Sequence, residues 1–361
     1  MRVLIAPDAF AGTLTAVQAA EAIATGWARR APADQLDTCP MSDGGPGFVD
    51  VLHAALGGEL LAATVRGPHG GPTPATVLRR AGTVYIESAQ ACGLHLLGDG
   101  DPEAATTYGV GELLRHAVEA GAEEVVVGLG GSGTTDGGAG LLAALGATAD
   151  VPLDRGPGGL AGLAGVDLAP ARARLAGVRL VAASDVDNPL TGLFGAAKTF
   201  GPQKGLAEER LVAVDGVLQG LAEATDRRVA LAPGAGAAGG LGFGLLLLGA
   251  VRTPGIGLVA DAVRLADRAR DADLVVTGEG AFDFTSRSGK VPYGVASVAA
   301  EALRPCIALA GRVQVGSREM RALGVESAYS LVDLIGERRA LDEPAAALAD
   351  LAERVARTWS R

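Results

Sequence analysis

Short aliphatic and β-branched runs recur along the chain, each closing in a loop that carries Gly or Asp and leading into an Ala/Leu-rich stretch of helical length. The runs are Val3–Ala6, Thr83–Glu87, Glu124–Gly128, Arg179–Ala183, Asp273–Thr277 and Cys306–Ala310. Continuous apolar strands alternating with helices are the pattern of a mainly parallel sheet covered on both faces, which places the chain in the α/β class. Helices are expected over 16–30, 109–119, 138–146, 206–224, 257–268 and 345–358. The segment Thr13-Leu14-Thr15 offers an N-cap hydroxyl to the first, and Pro344 stands at the start of the last, where its missing N–H breaks no helical bond. The stretch 153–168 mixes Gly, Pro and Leu without a period and reads as an irregular connection.

With 361 residues the chain exceeds one ordinary core and suits two domains. The simple strand–helix alternation of the N-terminus gives way to mixed patterning near residue 60 and resumes after 257. This predicts a discontinuous α/β domain, 1–60 with 258–361, that accepts residues 61–257 as an inserted second α/β domain. A cleft between two such domains is a common place for a ligand.

A net charge of −10 argues against nucleic acid or an anionic membrane surface as the main partner. The apolar stretch at 241–251 is too short to span a bilayer. Cys39, Cys92 and Cys306 are widely spaced and odd in number, which argues against a disulfide framework. The expected setting is the cytoplasm. The sequence leaves the oligomeric state open, a homo-oligomer included.

The richest loop is VVVGLGGSGTTDGGAG at 125–140, in which a buried-type strand runs into Gly130, Gly131, Ser132, Thr134, Thr135, Asp136, Gly137 and Gly138 and then into a helix. Backbone N–H groups of such a loop can approach a phosphate closely, helped by the helix dipole, and Asp136 could hold magnesium or cap the helix. The alternative is a tight turn capped by Asp136. Gly128, Gly130 and Gly133 also match the dinucleotide pattern G-x-G-x-x-G. The acid that pattern wants some 20 residues on would be Asp150, and no apolar strand precedes it. A nicotinamide oxidoreductase is therefore the weakest reading.

Acids close the other strand-end loops: Asp8, Asp43, Asp185, Asp187, Glu279 and Asp283. One carboxylate after a strand is an ordinary turn former; six point to one edge of the sheet, where open α/β folds bind ligands. Clustered carboxylates want a cation, and Mg²⁺ suits them. Lys204 and Lys290, in loops with few other basic residues, could meet a phosphate or a substrate carboxylate, or could be solvated surface lysines. No nucleophile elbow and no His triad spacing is present, which leaves phosphoryl transfer as the better match.

Taken in order, APDAFAGTLTA (6–16), PMSDGGPGF (40–48), TTYGVGELL (106–114), VGLGGSGTTDGGAG (127–140), SDVDNPLTG (184–192), FGPQKG (200–205), PGAGAAGGLG (233–242) and TGEGAFDFTSRSGKVPYGVA (277–296) resemble the bacterial type I glycerate kinase family over nearly the whole chain. The resemblance implies two α/β domains, one flavodoxin-like with helices on both faces of a parallel sheet, and an active site in the cleft between them. It implies ATP and Mg²⁺ as co-substrates and D-glycerate, or a similar small hydroxy acid, as acceptor, with 2-phosphoglycerate as product. On that basis Asp8, Asp187, Glu279, Asp283 and Lys290 are the catalytic candidates and Asp187 and Glu279 the metal candidates. The Gly130–Gly138 loop and Lys204 would bind the nucleotide.

Departures from the family pattern carry weight. Ala11 and Ala281 stand where the family has Lys and Arg, Pro46 where it has Glu, and Gly133, Thr135, Thr285 and Ser286 replace Ala, Asn, Gln and Thr. Losing two charged contacts, at roughly 1.5–3 kcal/mol each, would lower binding or rate by on the order of a hundredfold or more. Three readings follow: an acceptor other than glycerate, a compensating basic residue such as Arg287, or a nucleotide-binding regulatory protein without turnover.

Overall fold

The structure, a computed structural model, describes residues 1–10, 12–283 and 290–360. Its strands in chain order are β1 (Arg2–Pro7), β2 (Gln35–Thr38), β3 (Glu59–Arg66), β4 (Pro72–Arg80), β5 (Thr83–Glu87), β6 (Glu124–Gly128), β7 (Thr148–Ala149), β8 (Val166–Asp167), β9 (Arg179–Ala183), β10 (Val251–Thr253), β11 (Leu274–Phe282), β12 (Cys306–Val313) and β13 (Ser327–Ser330). Every apolar run read from the sequence is a strand. Three are longer than the runs themselves: β1 by one residue at each end, β11, which continues to Phe282, and β12, which continues to Val313.

The chain divides into two compact units: Met1–Asp43 with Asp50–Leu56 and Gly255–Arg361, and Gly44–Val49 with Gly57–Pro254. In the first, a five-stranded sheet runs β2-β1-β11-β12-β13, with every pair parallel. Counted within the unit this is the order 2-1-3-4-5, the flavodoxin-like arrangement. Side chains alternate across it as strand geometry requires. Val3, Ile5, Leu274, Val276, Ile307 and Leu309 share a core with the helices Ala16–Arg30 and Pro344–Trp359. The helices Leu265–Asp271 and Val291–Glu301 pack against the strands as well, and the alternating Leu4, Val275 and Ala308 are buried too.

The first and last helices lie close together because Gly26 has no side chain: a Cβ there would sit 1.8 Å from the Ala349 carbonyl oxygen. Thr15 forms the expected cap, as half of a capping box with Gln18. The single helix expected over 257–268 is instead two, Gly255–Ala262 and Leu265–Asp271. Between them Arg264 takes a left-handed conformation (φ 56°), which no continuous helix accommodates.

In the second unit a six-stranded sheet runs β10-β9-β6-β5-β4-β3. Strands β5, β6, β9 and β10 are parallel, whereas β3–β4 and β4–β5 are antiparallel. The hairpin escaped the sequence reading because β3 is an edge strand with mostly unburied positions and no continuous apolar run. The helix expected from 206 begins at Leu211, after a short 3₁₀ turn at Glu208–Arg210. The stretch 153–168 is irregular as expected, holding one 3₁₀ turn (Pro157–Leu160) and the edge of the small β7–β8 pair. Among the described residues no helix is long and apolar enough to cross a membrane.

Candidate functional site

In the first unit, β1 and β11 meet at the point where the strand order reverses, and both end in acids. A cavity of about 450 Å³ opens there, lined among others by Asp8, Thr13, Asp43, Glu279, Ala281, Lys290, Arg312 and Glu337. This is the switch-point crevice at which open α/β sheets bind ligands. The β1 end is fixed by backbone pairing: the Asp8 N–H donates to the Gly278 carbonyl at 2.8 Å and the Met41 N–H to the Pro7 carbonyl at 2.9 Å. Thr277 Oγ1 ties the same strands together by donating to the Ala6 carbonyl at 2.9 Å.

Glu279 is buried near the end of β11. Lys290, the residue before the helix Val291–Glu301, holds its amine 3.7 Å from Glu279 Oε2 and 3.8 Å from Asp283 Oδ1. One lysine thus bridges two of the acids read from the sequence. The Asp8 carboxyl is held well above the usual carboxylate range, first by burial and then by the negative charge of Asp43, with Glu279 adding to it. The Ala9 N–H, donating to Asp8 Oδ1 at 2.7 Å, and the Lys290 charge act in the opposite direction. The acids therefore repel one another across the cavity, although among the described residues no three of them stand close enough together to form a metal-ligand group.

The glycine-rich loop belongs to the second unit, where most of it is packed. Ser132, Thr134, Thr135 and Asp136 are buried, whereas Gly131 is exposed and Gly130 half-buried. Asp136 accepts from the backbone N–H groups of Thr107 (2.8 Å), Gly138 (3.0 Å) and Gly140 (3.2 Å) and from the Thr107 hydroxyl. It therefore caps the helix Ala139–Ala144 and ties it to the helix Tyr108–Glu119; of the two roles open to Asp136 in the sequence, the cap is the one seen. Burial still holds its carboxyl above the ordinary range. Gly137 and Gly138 abut a second glycine segment, Gly239–Gly244: the Gly137 N–H donates to the Gly239 carbonyl at 3.1 Å, and a Cβ on Gly239 would lie 1.8 Å from the Thr134 carbonyl oxygen.

Lys204 is no solvated surface lysine. It is buried, donating to the Thr134 carbonyl at 2.7 Å and to Ser132 Oγ at 3.3 Å. Burial brings its amine down to about 8, against the nearby Cys92 and Asp136, which act the other way. Asp187 also belongs to the second unit, where it is largely exposed and pairs with Arg252 at 2.7 Å. Asp150, the acid of the dinucleotide pattern, accepts from the Ala164 and Gly165 N–H groups. The strand before it pairs only with β8, whereas β6 is flanked by β5 and β9, so the nicotinamide reading has no strand to stand on. Pro46 packs on Gly131, and the neighbouring Gly47 N–H donates to Glu87 Oε2 at 3.0 Å. Ala11, Thr285, Ser286 and Arg287 lie outside the described residues.

Three charged lining residues, Asp43, Arg312 and Glu337, were absent from the site read from the sequence. Asp43 was read only as one of several loop acids. Arg312 was missed because the apolar run of β12 ends at Ala310; the signal was the length of β11, whose continuation past Glu279 needs a partner strand of matching reach.

A mixed acidic and basic cavity at the switch point of a flavodoxin-like sheet defines an α/β enzyme for a small polar substrate. The chain belongs to the glycerate kinase family: the sequence model of that family matches residues 3–360. It is thereby a glycerate kinase-type phosphotransferase with an alcohol group as acceptor. Similar proteins include a glycerate kinase of Halalkalibacterium halodurans, 41% identical over 92% of this chain and 91% of the relative. A glycerate 2-kinase of Escherichia coli is 38% identical over 93% of this chain and 92% of its own. A crystal structure from Salmonella typhimurium LT2, described as a candidate glycerate kinase 2, superposes with a TM-score of 0.78 at 36% identity, covering 99% of this chain and 98% of that one.

Proposed function

We propose that the protein transfers the γ-phosphoryl group of ATP to a hydroxyl of D-glycerate, giving 2-phosphoglycerate and ADP, in the cytoplasm. The observation that carries this reading is the cavity at the ends of β1 and β11, which holds Asp8, Glu279 and Lys290 together. In the step itself the acceptor oxygen forms a bond to the γ-phosphorus and the bond from that phosphorus to the β-bridging oxygen breaks. Asp8 takes the hydroxyl proton, and a carboxyl held above its ordinary range suits a general base. Lys290, already between two carboxylates, brings positive charge to the transferring group.

Glu279 and Asp43 would offer carboxylate oxygens to Mg²⁺, which when bound would take its remaining oxygens from the phosphates and supply their charge neutralisation. Asp187 is left out of this set because Arg252 already neutralises it. In the second unit, the exposed end of the loop, Gly130 and Gly131, is assigned to the nucleotide, with Ser132, Thr134, Thr135, Asp136, Gly137, Gly138 and Lys204 holding its shape. An ADP-release assay with Mg-ATP, D-glycerate, a panel of small hydroxy acids and a no-acceptor control tests the reading, with ³¹P NMR identifying the product. Turnover restricted to another acid would move the substrate. Nucleotide binding without turnover on any acceptor would favour the regulatory reading.

A further inference from the structure

The cavity has a second basic group whose place in the sheet gives it a task. Arg312 sits near the end of β12, directly in register with Ala281 of β11, and both residues line the cavity. Registered residues on adjacent strands project from the same face, so the Arg312 side chain rises beside a position where Ala281 contributes only a methyl group. Lys290 is the other basic residue among the described cavity lining, and it faces two carboxylates, Glu279 and Asp283. Arg312 pairs with the carboxylate of Glu337, at the start of the helix Glu337–Asp342. Both members of that pair are about half exposed, 48% and 58%, so their attraction is weak in water and exchange for another carboxylate is easy. A planar guanidinium presents two parallel donors that match a carboxylate and do not match a hydroxyl.

We infer that Arg312 is the anchor for the carboxylate of the acceptor, its guanidinium releasing Glu337 to take the acid, and that it sets the preference for hydroxy acids over neutral polyols. This deepens the kinase reading and rests on it. The position also explains how the chain can hold an acid substrate with alanine at 281: the cation comes from the neighbouring strand.

The test compares wild-type protein with Arg312→Ala, Arg312→Lys and the double variant Arg312→Ala/Ala281→Arg, on D-glycerate and on glyceramide, the same diol with a neutral amide. Arg312→Ala is expected to raise KM for D-glycerate roughly 10- to 100-fold, the loss of one charge-assisted contact, with KM for ATP unchanged. Rates on glyceramide should stay level, so that discrimination between acid and amide collapses. Arg312→Lys should recover only part of the loss, and arginine restored at 281 should recover more. An unchanged KM for D-glycerate, an equal loss on acid and amide, or a loss that falls on ATP instead would overturn the inference. Calorimetry with D-glycerate alone separates the two ideas. Binding that depends on Arg312 but leads to no turnover would sink the kinase reading and keep the anchor; failure of wild-type protein to bind D-glycerate would sink the anchor.

Discussion

Replacing Lys204 with methionine should change how stability depends on pH, because that lysine carries its charge in a buried place. Its amine falls from the ordinary 10.5 to about 8 on folding, chiefly through loss of hydration. At ~1.4 kcal/mol for each tenfold change in a protonation constant, the charged form is disfavoured in the folded protein by roughly 3 kcal/mol. The unfolded chain holds the proton more tightly, so between about pH 8 and 10.5 it binds more protons than the native state, and stability rises with pH across that window. Below pH 8 the penalty is complete. Cys92, near the amine, is carried by burial to about 12, above this window. Other lysines and tyrosines also titrate in this range. The informative quantity is therefore the difference between wild type and Lys204→Met in urea unfolding at pH 7.5, 8.5, 9.5 and 10.5. That difference should move in favour of the wild type by about 3 kcal/mol from the lowest pH to the highest. The hydrogen bonds to Thr134 and Ser132 do not alter the slope, because a neutral amine also donates. Parallel curves for the two proteins would show that the amine keeps its hydration and that the burial argument is wrong.

Asp136→Ala would orphan the N–H groups of Thr107, Gly138 and Gly140; at roughly 1–3 kcal/mol each, less the relief of a buried carboxylate, calorimetry should record a loss of about 3–5 kcal/mol. Gly26→Ala would force its methyl into the Ala349 carbonyl, and a melting temperature lower by several degrees is expected, in line with overpacking costs of about 1–3 kcal/mol. Asp43→Asn removes a charge that raises the Asp8 carboxyl, so the acidic limb of the kcat/KM profile should shift to lower pH; a shift upward would exclude Asp8 as the base. Lys290→Met should lower kcat by at least tenfold if its charge meets the transferring phosphoryl group, and an unaltered kcat would remove it from the mechanism.

Much of the fold could be read from the residues because its buried parallel strands are written as uninterrupted apolar runs. Val3–Ala6 and Glu124–Gly128 needed no tertiary context to be recognised. The β3–β4 hairpin did need it: an edge hairpin buries few side chains, and its pattern is correspondingly faint. Arg264 shows another limit, since nothing local marks it as the residue that leaves the helical region. Within the candidate site, Asp8, Glu279, Asp283 and Lys290 were legible as polar residues beyond apolar runs, and the structure gathers them, with Glu279 inside β11 rather than in a loop. Glycine was the less specific signal. The segment around Gly137 needs its glycines because another backbone, near Gly239, closes on it, and a contact between positions a hundred residues apart leaves no local trace. Arg312 was hidden for a related reason: its value depends on register with β11, and register appears in no single strand.

The position of β1 has a consequence for how the protein is made. This strand is synthesised long before β11, yet in the finished sheet it lies between β2 and β11, and Ile5 pairs with Val276. Translation at about 5–20 residues per second separates the two by some tens of seconds. During that interval the intervening unit, which ends at Pro254, is synthesised in full and can fold, while one edge of β1 waits exposed. An apolar strand with an unpaired edge is a template for pairing with a wrong chain. Truncated products ending between residues 254 and 274 should therefore aggregate through β1, and the newborn chain is most in need of a chaperone just before β11 appears.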